Sequence, residues 1–289
     1  MPHLDVYGVN HSPWVQALLL GLHEKGISYS LRSTPVFEQF RAIGILMPTA
    51  RIDGGPWKFH SYEILQQVGF ERVSPQELSE VYRAWIGVQH RVDNALRFFT
   101  RFSYVADSSS STWRRLCNHV LRSFIPLYFY LMLKGMVLFS RVEDPENLGD
   151  PFRNFEQRLA DQNSRFLCGE APGIVDLLLF GVIQCHCSVP IPQIKALQED
   201  PGLSHVRAWI AAMQERFADY PHLYSGVYFE PYSPVPVRSS RVDQVAFWFG
   251  TICMLIAFPL TFSLIAYYAI RVGRAGLRGP GDEEAVAPS

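Results

Sequence analysis

An uncharged apolar run near the C-terminus constrains this chain more than any other feature. The run extends from Val245 to Ile270 and contains 26 residues without Asp, Glu, Lys, Arg or His. As a helix rising about 1.5 Å per residue it is roughly 39 Å long, which exceeds the roughly 30 Å hydrocarbon core of a bilayer. The alternative, a buried helix of a globular core, is seldom uninterrupted for more than about 14 residues. The run therefore predicts a transmembrane helix.

The flanks of the run agree with a membrane span over residues 244–271. Trp248 and the pair Tyr267 and Tyr268 lie near its two ends, where aromatic side chains favour the membrane interfaces. Arginines lie on both sides, at positions 238, 241, 271, 274 and 278. The N-terminus begins with a strand pattern and has no basic and apolar signal segment, so we expect a tail-anchored protein whose N-terminal part is cytosolic.

Composition limits the remaining function classes. The net charge is −1 and the isoelectric point is about 6.8, so the chain shows no basic footprint for nucleic acid. Five cysteines, one of them inside the apolar run, fit a reducing compartment better than a disulfide framework. The segment Cys185-His186-Cys187 allows a metal site, but it lacks the second ligand pair of a zinc site, so we interpret it as part of a buried helix and expect no metal.

The first 71 residues show a compact alternation of strand and helix patterns. Residues 4–9 form a strand pattern, 15–25 a helix closed by Gly26, and 27–32 a second strand. A short helical or irregular stretch follows at 37–46, then a hairpin around Asp53 to Pro56 and a helix over 61–68 that starts with a Ser cap. This order predicts an α/β domain over residues 1–71 with a parallel strand pair covered by a helix.

Residues 72–220 predict an all-α domain. Ser74 to Glu77 is a capping box that opens a helix to about residue 102, and a second helix runs from about 113 to 139. Its apolar part, Phe124 to Phe139, is short for a span and is interpreted as a core helix. Three more helices are predicted from 150 to 165, 172 to 187 and 200 to 217. Residues 221–243 form a Pro-rich linker, and residues 272–289 are predicted to be disordered.

This layout resembles the cytosolic glutathione transferases, in which a thioredoxin-like domain precedes an all-helical domain. The opening segment VYGVNHSPWVQALLLGLHEKGISYS is similar to the strand, Ser-Pro-aromatic turn, helix and strand of the serine-type classes, notably the plant tau class. MPTARIDGGPWKFHSYEIL resembles the strand after a cis-proline, the hairpin and the turn into a helix. FLCGEAPGIVDLLLFG resembles a helix-capping segment of the second domain. In layout the resemblance covers roughly residues 3–218.

The resemblance implies a role for each matching residue. Ser12, at a helix start, would donate a hydrogen bond to the thiol sulfur of glutathione and favour the thiolate. Met47 would pair through its backbone with the tripeptide, because Pro48 would be the cis-proline. Ser61, beside His60, would bind the γ-glutamyl carboxylate. The alternative for both serines is plain helix capping.

The resemblance also implies roles for a residue at the substrate pocket and for a residue of the second domain. Trp14 would wall the substrate pocket, or would pack in the core. Asp176 resembles the buried capping-box aspartate of the second domain, which serves folding and not catalysis.

Several positions depart from the family's pattern. His60 stands where an acidic residue or Gln is usual, Leu46 where a polar residue often holds the tripeptide, and Ala17 where an Arg is common. Gly173 replaces the usual Ser or Thr at a helix cap. These departures bear on glutathione affinity and leave the expected fold unchanged.

Two functions remain open from the sequence. The first is a membrane-anchored glutathione transferase, a detoxification enzyme that conjugates glutathione as co-substrate to lipophilic electrophiles or reduces lipid-derived peroxides; by resemblance it would form a homodimer. The second is a non-catalytic adaptor in the manner of metaxin-like membrane proteins. A glutaredoxin-like oxidoreductase is disfavoured, because the turn from His11 to Trp14 carries no thiol.

Overall fold

The structure is a computed structural model, and it describes residues 2–90, 92–107, 109–140, 149–162, 164–189, 195–224 and 238–277. The strands are β1 His3–Tyr7, β2 Ser28–Arg32, β3 Thr49–Ile52 and β4 Lys58–Phe59. The helices of the first domain are α1 Pro13–Glu24, α2 Phe37–Ile43 and α3 Ser61–Gln67. The later helices are α4 Pro75–His90, α5 Val92–Arg101, α6 Thr112–Ser140, α7 Arg153–Gln162, α8 Ile174–Cys187, α9 Lys195–Glu199, α10 Ser204–Arg216 and α11 Arg241–Leu277.

The first domain is a four-stranded mixed sheet in the order β2-β1-β3-β4. β1 pairs with β2 in parallel, whereas β3 is antiparallel to both β1 and β4. Helix α1 makes the parallel crossover from β1 to β2. This βαβ-α-ββα order confirms the predicted thioredoxin-like domain, and the helices that follow confirm the predicted all-α second domain.

Helix α1 joins the two domains because it is apolar on every side. Its leucines Leu18, Leu19, Leu20 and Leu22 are all fully buried. The sheet and α3 cover one side, and α8, whose residues are all buried, covers the other. A helix that is hydrophobic all round belongs in the middle of a core, so α1 and α8 form the interface between the domains.

The start of α8 is fixed by one buried carboxylate. Asp176 accepts hydrogen bonds from the backbone N–H groups of Leu167 (2.7 Å), Cys168 (3.1 Å) and Gly173 (3.0 Å), and from the indole Nε1 of Trp209 (2.8 Å). This arrangement supports the folding role predicted for Asp176. It also explains the glycine at the cap, because a Cβ on Gly173 would lie 2.5 Å from the sulfur of Cys168.

The apolar run forms the central part of α11. The stretch Arg241–Tyr268 is long and apolar enough to cross a membrane, and only 17% of its most apolar window is buried against the rest of the protein. Ser240 and Asp243 form a capping box at its start: each backbone N–H donates to the other side chain, at 3.1 and 3.2 Å.

One face of α11 packs along α6, and the opposite face is exposed. The packed face includes Phe247 and Met254, both fully buried, and Asp243, whose carboxylate pairs with Arg115 at 2.9 Å. A Cβ on Gly250 would lie 2.5 Å from the carbonyl oxygen of Val120, so the two helices cross closely there. Near its far end Tyr268 contacts α2 through Phe40, with ring centroids 5.9 Å apart.

Several predicted boundaries are wrong in detail. The helix predicted to run from 74 to 102 comprises α4 and α5, with residue 91 outside the described part. The helices predicted from 150 and 200 begin with short 3₁₀ turns at Asp150–Phe152 and Pro201–Leu203. His60, not Ser61, is the N-cap residue of α3, and Ser61 is its first helical residue.

The C-terminal boundaries also shift. Helix α11 begins at Arg241, before the span predicted from residue 244, because the capping box formed by Ser240 and Asp243 starts the helix there. It continues to Leu277, through part of the tail predicted to be disordered. Most of the predicted linker, at 225–237, and the tail from 278 lie outside the described residues.

Candidate functional site

The predicted site residues lie at one edge of the sheet. Tyr7, the last residue of β1, pairs with Thr49, the first residue of β3, and Thr49 pairs in turn with Phe59 at the end of β4. The segments that follow β1, precede β3 and follow β4 therefore emerge at the same edge. These segments contain Ser12, Met47 with Pro48, and His60 with Ser61, so the register brings the predicted residues to a common edge.

Ser12 begins α1 but does not cap it with its side chain. It is the N-cap residue, followed by Pro13 at the first helical position, and its carbonyl oxygen accepts from the N–H of Gln16 at 2.9 Å. Its side chain is buried, and the hydroxyl makes no hydrogen bond to any described residue. Because this hydroxyl is not used for capping, the plain capping alternative loses its support at Ser12.

The peptide bond between Met47 and Pro48 is cis, as the resemblance implies. On the far side of β3, His60 adopts a φ of 71°, which is uncommon for a residue other than glycine. Residues held in this left-handed region cluster at binding sites, where the surrounding structure over-determines them. The residue with this uncommon backbone conformation therefore lies immediately before Ser61, at the turn into α3.

The surroundings of His60 change the pKa of its imidazole and so determine which ligand groups it can bind. The centroid of its ring lies 4.2 Å from that of Phe59 and 5.3 Å from that of Tyr62. Burial lowers the pKa of His60, while the nearby Glu63 raises it to a smaller extent. The imidazole is therefore neutral at pH 7 and keeps one nitrogen as a hydrogen-bond acceptor, which suits an ammonium group better than a cation would.

Trp14 packs against the second domain. Its ring lies 4.9 Å from Tyr82 and 5.4 Å from Trp85 of α4, measured between centroids. These contacts fit the packing alternative for Trp14, and its role as a pocket wall stays a prediction. Ala17 is fully buried where α1 crosses α8, beside Gly181, which explains why a long Arg side chain is absent from this position.

Four polar residues that the sequence did not single out form hydrogen bonds at the turn between β1 and α1. The buried Gln16 donates to the carbonyl oxygen of Asn10, and the hydroxyl of Tyr220 donates to Gln16 at 3.2 Å. The side-chain amide of Asn10 donates to the hydroxyl of Tyr224 at 3.0 Å. The signal that could have found this network is Gln16 itself, a polar residue within the apolar pattern of α1.

A cavity of about 670 Å³ lies between this turn and the second domain. It is lined by Gly8 to His11, by Leu31 and Ser33 near the end of β2, by residues of α6, and by Pro221 to Tyr224. A volume of this size is typical of small-molecule sites, which often lie between domains. In the sheet order β2-β1-β3-β4, the cavity lies on the β2 side of the turn, and Met47 to Ser61 lie on the β3 side.

The cysteines near the end of α8 show no sign of reactivity. Cys185 and Cys187 are both buried, and burial raises the pKa of both thiols. Such thiols are protonated and inert at neutral pH. The residues that the structure describes contain no group of three or more metal-ligating side chains.

Comparison with known proteins gives structural neighbours only. No protein-family model matches the chain, and no curated protein matches it. The neighbours include a maize glutathione S-transferase in complex with an atrazine glutathione conjugate, at 18% identity and a TM-score of 0.41, covering 74% of this chain and 93% of that one.

Two bacterial structures give similar values. The theta class enzyme of Xanthomonas axonopodis pv. citri, with glutathione bound, has 17% identity and a TM-score of 0.40, covering 77% of this chain and 95% of that one. A glutathione S-transferase of Xanthobacter autotrophicus has 18% identity and a TM-score of 0.39, covering 79% of this chain and 97% of that one. These likenesses are weak, and the assignment of the fold rests on the topology described above.

Proposed function

We propose that the chain is a glutathione transferase-like protein held at a membrane by α11. The observation that carries this proposal is the common sheet edge, which brings together Ser12, whose buried hydroxyl has no hydrogen-bond partner among the described residues, the Met47–Pro48 segment and the His60–Ser61 turn. Glutathione would lie along this edge, with its cysteinyl backbone at Met47 and its γ-glutamyl end at Ser61 and the neutral His60. Ser12 would then face the sulfur.

The chemistry proposed for this site is attack of the glutathione thiolate on a lipophilic electrophile. The thiolate is the nucleophile, and a hydrogen bond donated by the Ser12 hydroxyl would stabilise it relative to the thiol. Together with a second glutathione, which completes the disulfide, the same thiolate would reduce a lipid-derived hydroperoxide to the alcohol and water. Anchoring at a membrane raises the local concentration of substrates that partition into lipid, which gives α11 a role in the function.

We further propose that α11 spans the membrane once and that the two domains lie in the cytosol. The contact between α11 and α2 then has to open, because a spanning helix carries Tyr268 to the opposite face of the bilayer. The packing of Gly250 and Met254 along α6 lies inside the uncharged run and would have to open as well. The contacts of Asp243 and Phe247 with α6 lie in the first turns of the helix and are compatible with a span. A homodimer remains a proposal by resemblance.

Glutathione binding and catalysis can be tested separately in the full chain, purified in detergent. Ser61→Ala is expected to abolish retention on immobilised glutathione. Ser12→Ala is expected to keep retention but to lower the conjugation rate by about 10- to 100-fold, because one hydrogen bond to a charged sulfur is worth about 1.5–3 kcal/mol. Ser79→Ala, on the exposed side of α4, is the matched control.

Retention of the unmodified protein on immobilised glutathione decides between the two functions left open by the sequence. If the unmodified protein shows no retention at millimolar glutathione, the transferase proposal is wrong and the non-catalytic adaptor replaces it. If Ser12→Ala conjugates as fast as the unmodified protein, Ser12 is not the thiolate-stabilising residue.

A further inference from the structure

The segment that leads into α11 is bonded to the second domain. Just before the helix, Arg238 forms a β-bridge with Val105. The N–H of Ser239 donates to the carbonyl oxygen of Tyr104 at 3.0 Å, and the Ser239 hydroxyl donates to the carbonyl oxygen of Ser103 at 2.6 Å. The start of α11 therefore has a fixed position on the surface of the second domain.

The first turns of α6 and α11 lie at the same end of this helix pair. Near the two starts, Arg115 pairs with Asp243 at 2.9 Å. Further along both helices, the guanidinium carbon of Arg122 lies 6.0 Å from the ring centroid of Phe247. Because the two contacts advance in the same direction, the helices are parallel and their first turns are neighbours.

Three segments thus meet where α11 begins: the end of α5 with the turn Phe102–Tyr104 after it, the first turn of α6, and the residues that open α11. Their exposed basic and aromatic side chains are Arg101, Tyr104, Trp113, Arg114, Arg238 and Arg241. Trp113 is 74% exposed. We call these six residues the entry surface, because the uncharged run begins four residues after Arg241.

The entry surface carries a net positive charge. None of its four arginines makes an ion pair with a carboxylate of the residues that the structure describes. The three segments contain two described carboxylates near the surface. Asp243 pairs with Arg115, which leaves only Asp107, and that carboxylate accepts from the side-chain amide of Asn118 at 3.2 Å.

The position of this charge indicates what it contacts. A helix that enters a bilayer at Val245 places the residues beside its start at the level of the lipid headgroups. Arginine and tryptophan are favoured at that level, and basic clusters next to a membrane helix attract anionic lipids. A nucleic acid fits the same charge less well, because the surface continues directly into the uncharged run.

We propose that the entry surface binds the phosphate groups of anionic phospholipids, with Trp113 among the headgroups. The inference rests on the proposed anchor and goes beyond it, because it specifies which end of the two domains faces the bilayer. The domains then lie against the membrane at the start of α11 and are not spaced from it by the linker. Glutathione takes no part in this binding.

The test uses the full chain in nanodiscs of phosphatidylcholine that contain a minority of phosphatidylglycerol. A photoreactive benzoylphenylalanine is incorporated at position 113, and the lipids cross-linked to it are identified by mass spectrometry. We expect the share of phosphatidylglycerol among these adducts to exceed its share of the bilayer about fivefold, and to fall as salt is added.

Two further positions of the photoreactive residue serve as controls. Phe37 of α2 is 80% exposed, but α2 contacts Tyr268, roughly 40 Å along α11 from its start, so position 37 should form no lipid adducts. Ile256 lies in the uncharged run, so position 256 should form adducts with both lipids if α11 is the anchor.

Charge reversal tests the arginines with the photoreactive residue kept at position 113. Arg101→Glu combined with Arg114→Glu is expected to remove the enrichment of phosphatidylglycerol. Lys58→Glu combined with Arg72→Glu changes the net charge equally at exposed positions on β4 and before α4, and should leave the enrichment unchanged.

Three results would overturn the proposal: no adducts at position 113 while position 256 forms them, equal adducts at positions 113 and 37, or an enrichment that survives the reversal of Arg101 and Arg114. Absence of adducts at position 256 as well as at 113 would contradict the membrane anchor together with the entry surface. Retention on immobilised glutathione is independent of all these outcomes.

Discussion

At the scale of single residues, buried polar groups carry most of the specific information in this protein. Asp176 is the clearest case, because its two oxygens accept four hydrogen bonds that join the start of α8 to α10 and to the segment before α8. Burial raises the pKa of this carboxyl, and the backbone donors oppose that effect. Each donor would be left unsatisfied in the core if the acceptor were lost.

Asp176→Asn is therefore expected to destabilise the protein by about 2–3 kcal/mol, since an amide turns a donor toward N–H groups that need acceptors. The measurement is the thermal unfolding midpoint of the full chain in detergent. Asp161→Asn, on the exposed side of α7, is the control and should leave the midpoint unchanged. Equal midpoints for the two variants would show that the Asp176 network does not hold α8.

At the candidate site, some features could be predicted from the sequence and others depend on the folded structure. Ser12, Pro48 and Ser61 could be located from the order of motifs alone. The sequence could not show that the Ser12 hydroxyl has no partner among the described residues, that burial keeps His60 neutral, or that Arg122 lines a cavity. Each of these facts depends on residues far away in the chain, which set burial and hydrogen bonding only after folding.

At the scale of elements, the contact between α1 and α8 fixes how the domains meet. A Cβ on Gly181 of α8 would lie 2.3 Å from the carbonyl oxygen of Pro13 and 3.1 Å from the nitrogen of Ala17. Backbone atoms of α1 cannot yield as a flexible side chain would. The close approach at the start of α1 also supports the turn that carries Ser12.

Gly181→Ala is expected to lower the free energy of unfolding by about 1–3 kcal/mol, because the two helices must move apart. Gly135→Ala in α6 is the matched control, and its expected effect on the free energy of unfolding has the opposite sign. A Cβ there meets nothing within 4 Å, so the change should stabilise the helix by up to about 1 kcal/mol. Thermal unfolding of both variants checks the prediction, which is wrong if Gly181→Ala matches or exceeds the stability of the unmodified protein.

At the scale of the whole molecule, α11 presents a large apolar surface to the outside. Eleven large apolar side chains between Val245 and Ile270 are more than a third exposed, Ile256 to 77%. Soluble monomers rarely expose a contiguous apolar patch of more than a few hundred Å². This exposure, more than the length of the helix, supports its proposed place in a bilayer.

Ile256→Arg places a charge in the middle of this surface without disturbing the packing against α6. The substitution is expected to cost about 2.5–3.5 kcal/mol of membrane insertion and to move much of the protein into the supernatant of a carbonate wash. Val242→Arg, 61% exposed and outside the uncharged run, should stay in the pellet. If both variants stay in the pellet to the same extent, α11 is not the membrane anchor.

The sequence by itself determined the order of the elements, the two-domain division and the apolar character of α11. These properties follow from local periodicity, capping residues and turn residues, which act over a few positions. The tertiary structure alone decided where α11 packs, which glycines allow helices to cross, and which buried polar groups lack a partner. Those outcomes depend on packing between distant segments, such as Arg115 with Asp243 and Phe40 with Tyr268, and no local pattern encodes them.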